Sequence, residues 1–487
     1  MKSLVNLPLV LVLCSLLSLP SSANAVSSPM LIFADAGPRL GFYSCNSIDL
    51  GDVDGDGDLD VGMGVLGVKD RILINDGTGN LRDSGQAIGL SSNQENAQFF
   101  DMDGDGDLDF LTASSTDVAI SYNDGTGGFH HIKLLSRPPI WPSYRYFLEA
   151  FVADDFDSDG DGDIVVGTPD GGVYFENIGE MFYEAHYLPE IVTATEQSIS
   201  SADIDGDGDI DLSVSNSIFF YDGSGQFIDS GQNLGMRRGW GRSFGDLDGD
   251  GDLDLAIANV HGPDWILYND GSGYFENLGE RLLPGFSFSI AISDIDLDSD
   301  LDLVANGLSK ANVYLNNGDG SFGTSVQKLP AQHSYVIRAG DLNGDNLADL
   351  AQCRLFSGSH VFLNVLPLPA RIDCDPDTLS SRSRGKWLSC YVELPQGHDP
   401  REIDLSSILL KDGIAPVLDE SYGFVRSQDS YISDQDADGI EERIVKFDRG
   451  EVMSALHAGD RVELVIKGAL FSGVLFKGSD YVKVVAK

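Results

Sequence analysis

Asp52-Val53-Asp54-Gly55-Asp56-Gly57-Asp58-Leu59-Asp60 sets a carboxylate at every odd position of a nine-residue stretch, with glycine at the fourth and sixth. A hard cation such as Ca²⁺ takes six to eight oxygens at about 2.3–2.6 Å, and only a sharply turned backbone converges that many. Five like charges this close repel one another unless a metal lies between them, so a plain acidic surface turn is a poor account. A helix–loop–helix calcium site needs an acidic twelfth position and a following helix. Here the twelfth position is Met63, and the residues after Asp60 have the pattern of a short strand. The expected ligands are therefore the side chains at positions 1, 3, 5 and 9 and the main-chain carbonyl at position 7.

Six further copies follow at intervals of 43 to 54 residues. The second holds Asp101, Asp103, Asp105, Asp107 and Asp109, and the third Asp155, Asp157, Asp159, Asp161 and Asp163. Asp203, Asp205, Asp207, Asp209 and Asp211 make the fourth; Asp246, Asp248, Asp250, Asp252 and Asp254 make the fifth. The sixth holds Asp294, Asp296, Asp298, Asp300 and Asp302, and the seventh Asp341, Asn343, Asp345, Leu347 and Asp349. One Ca²⁺ per loop is expected, seven in all. The third stretch also permits a start at Asp157. The downstream Ile164-Val-Val-Gly167 fits Asp155 instead, which leaves Gly162 at a usually aliphatic position. The seventh keeps its side-chain ligand set with one charge fewer, which predicts weaker binding.

After each loop comes a strand of small residues, such as Asp254-Leu-Ala-Ile-Ala258, then a second such as Ile266-Leu-Tyr-Asn269. Turns of the Asn-Asp-Gly type follow, as at Asn123 and Asn269, and these are strong hairpin signals. Four short antiparallel strands per repeat is the signature of a propeller blade. The fold class expected is all-β: a seven-bladed β-propeller with calcium loops, followed by a small β-sandwich. The repeats resemble FG-GAP or VCBS repeats, the calcium-loop blades of integrin α-subunit propellers and of many secreted bacterial proteins. That resemblance covers roughly residues 30–366. It implies fold and metal but little about function, since propellers host adhesion, lectin and lyase activities alike.

Phe33-Ala-Asp35-Ala-Gly37-Pro-Arg-Leu40-Gly41 shares its form with Phe227 to Gly235, which ends a blade. The seventh repeat stops at Val361-Phe-Leu-Asn364 without such a strand, so the N-terminal segment is expected to complete blade seven and leave no open edge. Ahead of it, residues 1–25 read as a signal peptide. Lys2 supplies the charge, Leu9 to Leu19 the apolar core and Ala23-Asn-Ala25 the cleavage site, which implies a secreted or periplasmic protein. The apolar run is too short to span a bilayer, so no integral membrane segment is expected. Net charge is −46, and 33 of the 77 acidic residues lie in the seven loops, so much of the charge is metal-directed. So acidic a chain is not expected to bind nucleic acid or anionic lipid.

Leu366-Pro-Leu-Pro369 closes the propeller, taken as residues 26–366, and residues 370–487 are expected to form the β-sandwich. Strands are expected at Trp387–Leu394, Glu442–Phe447, Arg461–Ile466 and Tyr481–Val485, with one helix over Glu451–His457. Cys374-Asp-Pro-Asp-Thr-Leu, Gly385-Lys-Trp387 and Val445 to Arg449 resemble an uncharacterised module of secreted bacterial and archaeal proteins. Asp434, Asp436, Asp438 and Glu442, with the Ile440 carbonyl, repeat the loop pattern and make an eighth calcium candidate. Cys374 and Cys390 flank one hairpin and are expected to pair. Cys45 and Cys353 are open between a second bridge and two buried thiols.

No nucleophile motif, zinc-protease motif or phosphate-cradling loop is present. The favoured function is a non-catalytic binding or adhesion protein for a glycan or protein ligand, expected to be monomeric. A calcium-dependent polysaccharide lyase on the same scaffold is the alternative. The ligand face is placed opposite the calcium loops, where Trp141, Tyr144, Arg145, Trp240, Arg242, His261 and Trp265 gather aromatic and positive character. The competing reading is that these rings pack over the blades and the arginines pair with neighbouring acids.

Overall fold

The computed structural model describes residues 32–485 except 38, 42, 90–95, 115–116, 131, 137–149, 180, 194–198, 236–238, 277–280, 283–285, 356–357, 381–384, 396, 412, 419–430, 436–438 and 472–473. The leader sequence, Trp141, Tyr144, Arg145, Asp436 and Asp438 therefore lie outside the described residues.

The strand that follows each loop, such as Asp60–Val65 or Asp302–Gly307, is buried at every residue. Its small and branched side chains are enclosed on both faces, which is why the sequence shows a continuous apolar run instead of alternation. Gly62 shows how tight this is: a methyl group there would come within 2.3 Å of the Phe110 ring in the next repeat.

Each repeat forms an antiparallel sheet of four strands, and among the described residues there are seven such sheets. The fifth carries an additional short strand, Arg281–Leu282. The innermost strands are Cys45–Gly51, Asn96–Phe100, Ala150–Asp154, Ile199–Ala202, Gly239–Gly245, Ser287–Ser293 and Ser334–Gly340. Each touches its neighbours in chain order, and the last touches the first, so the sheets close into a ring. This is a β-propeller, with the sheets as blades. Its apolar core is divided among the interfaces: one buried cluster lies between each successive pair of blades.

Ring closure follows the reading of the N-terminal segment. Phe33–Asp35 pairs antiparallel with His360–Asn364 and forms the outer strand of blade seven. Gln327 of blade six pins it, its Oε1 accepting from the Ile32 and Phe33 amides at 2.7 and 2.8 Å and its Nε2 donating to the Phe33 carbonyl at 2.7 Å. A disulfide joins Cys45 of blade one to Cys353 of blade seven, which resolves the open pair as a second bridge. Cys374 and Cys390 are also bonded, across the neighbouring strands Arg371–Asp375 and Trp387–Glu393.

The C-terminal unit has two sheets over one core. Leu368–Pro369, Thr378–Ser380, Ile403–Leu410, Gly459–Leu470 and Leu475–Val485 make one sheet; Arg371–Asp375, Trp387–Glu393, Ile432–Ser433 and Glu442–Asp448 make the other. Its helix is Arg449–Ala455, two residues earlier than expected. Asp448 is the cause, since its carboxylate caps the helix by accepting from the Gly450 and Glu451 amides. Two propeller residues join this core: Leu347 is a member of it and Leu297 packs against it.

Candidate metal centres

Position 1 organises each loop. Asp52 accepts the Gly55 amide on Oδ1 at 2.8 Å and the Gly57 amide on Oδ2 at 3.0 Å. The pair recurs at Asp101, Asp203 and Asp246. Gly55 and Gly57 sit at φ of +74° and +94°, a left-handed turn open to glycine at little cost. Position 9 ends the loop and begins the next strand. Asp60 is fully buried and accepts from the Val53 and Asn75 amides at 3.1 and 2.8 Å.

These constraints bring the expected side chains together. Carboxylate oxygens of Asp52, Asp54 and Asp60 lie within 4.8 Å of one another, as do those of Asp101, Asp103 and Asp109 and of Asp203, Asp205 and Asp211. In the third and fifth loops the corresponding groups are Asp155, Asp157 and Asp159, and Asp246, Asp248 and Asp250. One Oδ1 oxygen of each of Asp54, Asp103, Asp248 and Asp296, all at position 3, is buried with no hydrogen-bond partner. Burial raises the carboxyl of Asp60 to about 6 and those of Asp109 and Asp302 to about 7. A buried anionic oxygen that nothing donates to is costly, and a cation among the three carboxylates removes that cost. The donor set is all oxygen, as Ca²⁺ prefers.

Position 7 plays a different part. A methyl group on Gly77 would meet the Asp58 carboxylate at 2.4 Å, and Gly125, Gly271 and Gly318 stand in the same relation to Asp107, Asp252 and Asp300. These carboxylates therefore lie against the hairpin turn, and the metal contribution expected of position 7 is a main-chain one. The third loop keeps the register that starts at Asp155, which accepts the Gly160 amide at 3.1 Å. Gly162 is explained by crowding, because a side chain there would strike Met102 Sδ at 2.7 Å and the Phe100 ring at 2.8 Å.

The seventh loop has the same cradle, with Asp341 accepting from Gly344 at 2.8 Å and Asn346 at 2.6 Å. Its Leu347 is 2 % exposed, inside the core of the C-terminal unit. The departure from aspartate thus serves packing. In the eighth candidate Asp434 accepts the Gly439 amide at 3.2 Å and Glu442 accepts the Gln435 amide at 2.9 Å. Both bonds repeat the propeller-loop pattern, while Ile440 is 40 % exposed.

Sequence reasoning missed the asparagine at the end of the third strand in six of the blades. Asn75 Nδ2 donates to the Leu342 carbonyl of blade seven at 2.8 Å. Asn123, Asn177, Asn269, Asn316 and Asn364 each reach the aspartate loop of the preceding blade in the same way. Blade four has Tyr221 instead, in an aromatic cluster with Phe156 and Phe227. The signal was recurrence at a fixed distance, 14 or 15 residues after position 9.

The expected ligand residues do not form one site. Trp240 stacks on Tyr335 at 6.1 Å with Phe288 edge-on at 4.8 Å. Arg242 donates to Ser213 Oγ at 3.0 Å and to the Ser215 carbonyl. Trp265 packs against the apolar cluster between blades four and five, and His261 is exposed in the adjoining turn. That turn is set by buried Asp264, which accepts from the Asn259 amide and Ser287 Oγ.

With this geometry established, the relatives fall into place. A family model described as the FG-GAP-like repeat matches residues 52–112, 155–214, 246–305 and 294–351. The chain is thus a repeat β-propeller, in which four stretches match the FG-GAP-like repeat. Among solved structures it is similar to an Agrocybe aegerita lectin described as recognising non-reducing terminal N-acetylglucosamine, at 20% identity and a TM-score of 0.41, over 66% of this chain and 88% of that one. It is also similar to BBS1N in complex with ARL6DN, at 11% identity and a TM-score of 0.46, over 68% and 96%. A third is the V. cholerae biofilm matrix protein Bap1, at 11% identity and a TM-score of 0.41, over 67% and 88%. No curated protein matches the sequence.

Proposed function

We propose that this protein is an exported, calcium-stabilised propeller of seven blades that binds a glycan or protein ligand without transforming it. The observation that carries the metal half is the buried, undonated position-3 oxygen, repeated in loops one, two, five and six and grouped with two further carboxylates in loops one, two and five. One Ca²⁺ per propeller loop and an eighth at Asp434–Glu442 account for these groups. Two disulfides fit an oxidising compartment. Among the described residues no helix is long and apolar enough to cross a membrane.

Binding is assigned to the face opposite the loops, where Trp240, Phe288 and Tyr335 cluster. The test is a glycan array run beside an ultraviolet assay for unsaturated uronate products. Retention of a glycan with no product supports binding without catalysis; steady release of unsaturated product replaces it with the lyase reading.

A further inference from the structure

A cavity of about 250 Å³ lies on the propeller axis and is bordered by all seven innermost strands. Its walls are polar, with Asp49, Gln98, Ser200, Arg242, Ser289 and Arg338 among the lining residues. Among the described residues two arginines and one carboxylate thus line it, in a chain of net charge −46. Arg338 Nε pairs with Asp49 Oδ1 at 3.2 Å and its Nη1 donates to the Ile337 carbonyl at 3.3 Å, while no bond is made by its Nη2 among the described residues. The second oxygen of Asp49 is taken by the Phe99 amide at 2.9 Å.

Among the described residues Arg242 has no carboxylate partner. Both its terminal nitrogens bond neutral oxygens, and its Nε is buried with no acceptor. Burial alone lowers its guanidinium to about 9. Asp154 accepts the Ser201 hydroxyl at 2.6 Å and does not line the cavity. Among the described residues the lining therefore has an excess of one positive charge in a walled space, where fields are focused and an unpaired charge is costly.

At the end of the cavity where the innermost strands begin, the described residues include an aromatic mouth. Trp240 of blade five stacks on Tyr335 of blade seven with an interplanar angle of 16°, and Phe288 of blade six is edge-on to both. These residues begin the innermost strands, whereas the aspartate loops follow the ends of those strands. The aromatic mouth is thus the one away from the acidic loops.

We propose that the axial cavity binds a small carboxylate, entering past Trp240 and Tyr335, with the Arg338 fork on the carboxylate and Arg242 supplying the unbalanced charge. A monoanion neutralises the single positive excess, whereas phosphate brings about −1.5 to −2 at neutral pH. The carboxylate belongs to a free acid or to a sugar acid, whose ring the aromatic mouth would face. The proposal deepens the surface reading above, with which it shares Trp240, Phe288 and Tyr335, but it needs no polymer, so a carboxylate that fails to bind overturns it while glycan retention on the array stands.

The test titrates the full-length, calcium-loaded protein with sodium glucuronate, sodium acetate, glucose and inorganic phosphate by calorimetry. Saturable one-to-one binding of a carboxylate is expected, with none of glucose. Glucuronate well above acetate identifies the sugar acid, and equal binding identifies the carboxylate alone. Arg338→Gln should weaken binding at least about tenfold, as loss of a charge-assisted pair does, while its calcium-dependent melt matches the parent. Should that variant fail to fold, Arg338→Lys keeps the charge without the fork and should weaken binding by a smaller factor. Trp240→Ala should weaken glucuronate and spare acetate. No saturable binding at millimolar carboxylate, stronger binding of phosphate, or unchanged affinity in the arginine variant overturns the proposal.

Discussion

Replacing Asn75 by alanine isolates the contact that closes the ring. Its side-chain amide is buried and donates to the Leu342 carbonyl of blade seven at 2.8 Å and to the Leu59 carbonyl of its own blade at 3.0 Å. Leaving a buried acceptor unsatisfied costs about 1–3 kcal/mol, so losing both bonds should cost about 2–4 kcal/mol, the range narrowed by partial relaxation. Asn123→Ala removes the same two bonds between blades two and one, to the Val53 and Leu108 carbonyls. Only the Asn75 interface also carries a disulfide, Cys45–Cys353. Urea denaturation of both variants, with and without reductant, should therefore give similar losses with the bridge intact. After reduction the loss should grow for Asn75→Ala alone, because two ties across one interface are not additive. A loss below about 0.5 kcal/mol, the size of an ordinary surface substitution, would refute the pinning role.

Three further outcomes are expected. The position-9 carboxyls are raised by burial, to about 6 at Asp60 and Asp254 and about 7 at Asp109, Asp211 and Asp349. Their contribution to metal-free stability is complete below about pH 4 and lost as pH rises through about 6–7. Chelated protein should thus melt higher at pH 5 than at pH 7.5, and calcium-loaded protein the reverse; parallel trends in the two melts would count against metal at these sites. Deleting residues 26–42 removes the outer strand of blade seven and should speed limited proteolysis sharply, whereas an unchanged digest would show that this strand is dispensable. Gly62→Ala drives a methyl group to 2.3 Å from Phe110 and should cost about 1–3 kcal/mol. Gly323→Ala, with nothing within 4 Å, should be near neutral in the same denaturation series.

The loops and the ring were legible because both rest on short-range pattern. Aspartate at alternate positions has few uses besides a cation, and the form shared by Phe33–Gly41 and Phe227–Gly235 announces a strand that belongs to the last repeat. What stayed hidden is pairwise and distant. Asn75 reads as part of a hairpin turn, and nothing local says that its amide serves a carbonyl 267 residues away. Gly162 looks like a degenerate position until Met102 and Phe100 are seen to fill the space. Trp240 and Arg242 lie two residues apart, yet one joins an aromatic cluster across three blades and the other turns back to Ser213 and Ser215. Sequence separation cannot report that divergence, which follows a register shift between Gly239 and Arg242.

A ring of near-identical repeats offers an appended domain no marked place to sit. Leu297, at the fourth position of loop six, holds φ 58° where most loops have glycine, and Leu347 replaces an aspartate in loop seven. Both reach the core of the C-terminal unit. They act as an address written into two of seven otherwise interchangeable modules. Shuffling the first five repeats among themselves would leave that address intact, whereas moving six or seven would send the C-terminal unit to a surface of bare carboxylates. A partner that approaches the loop side consequently meets a lopsided disc, with one sector already occupied.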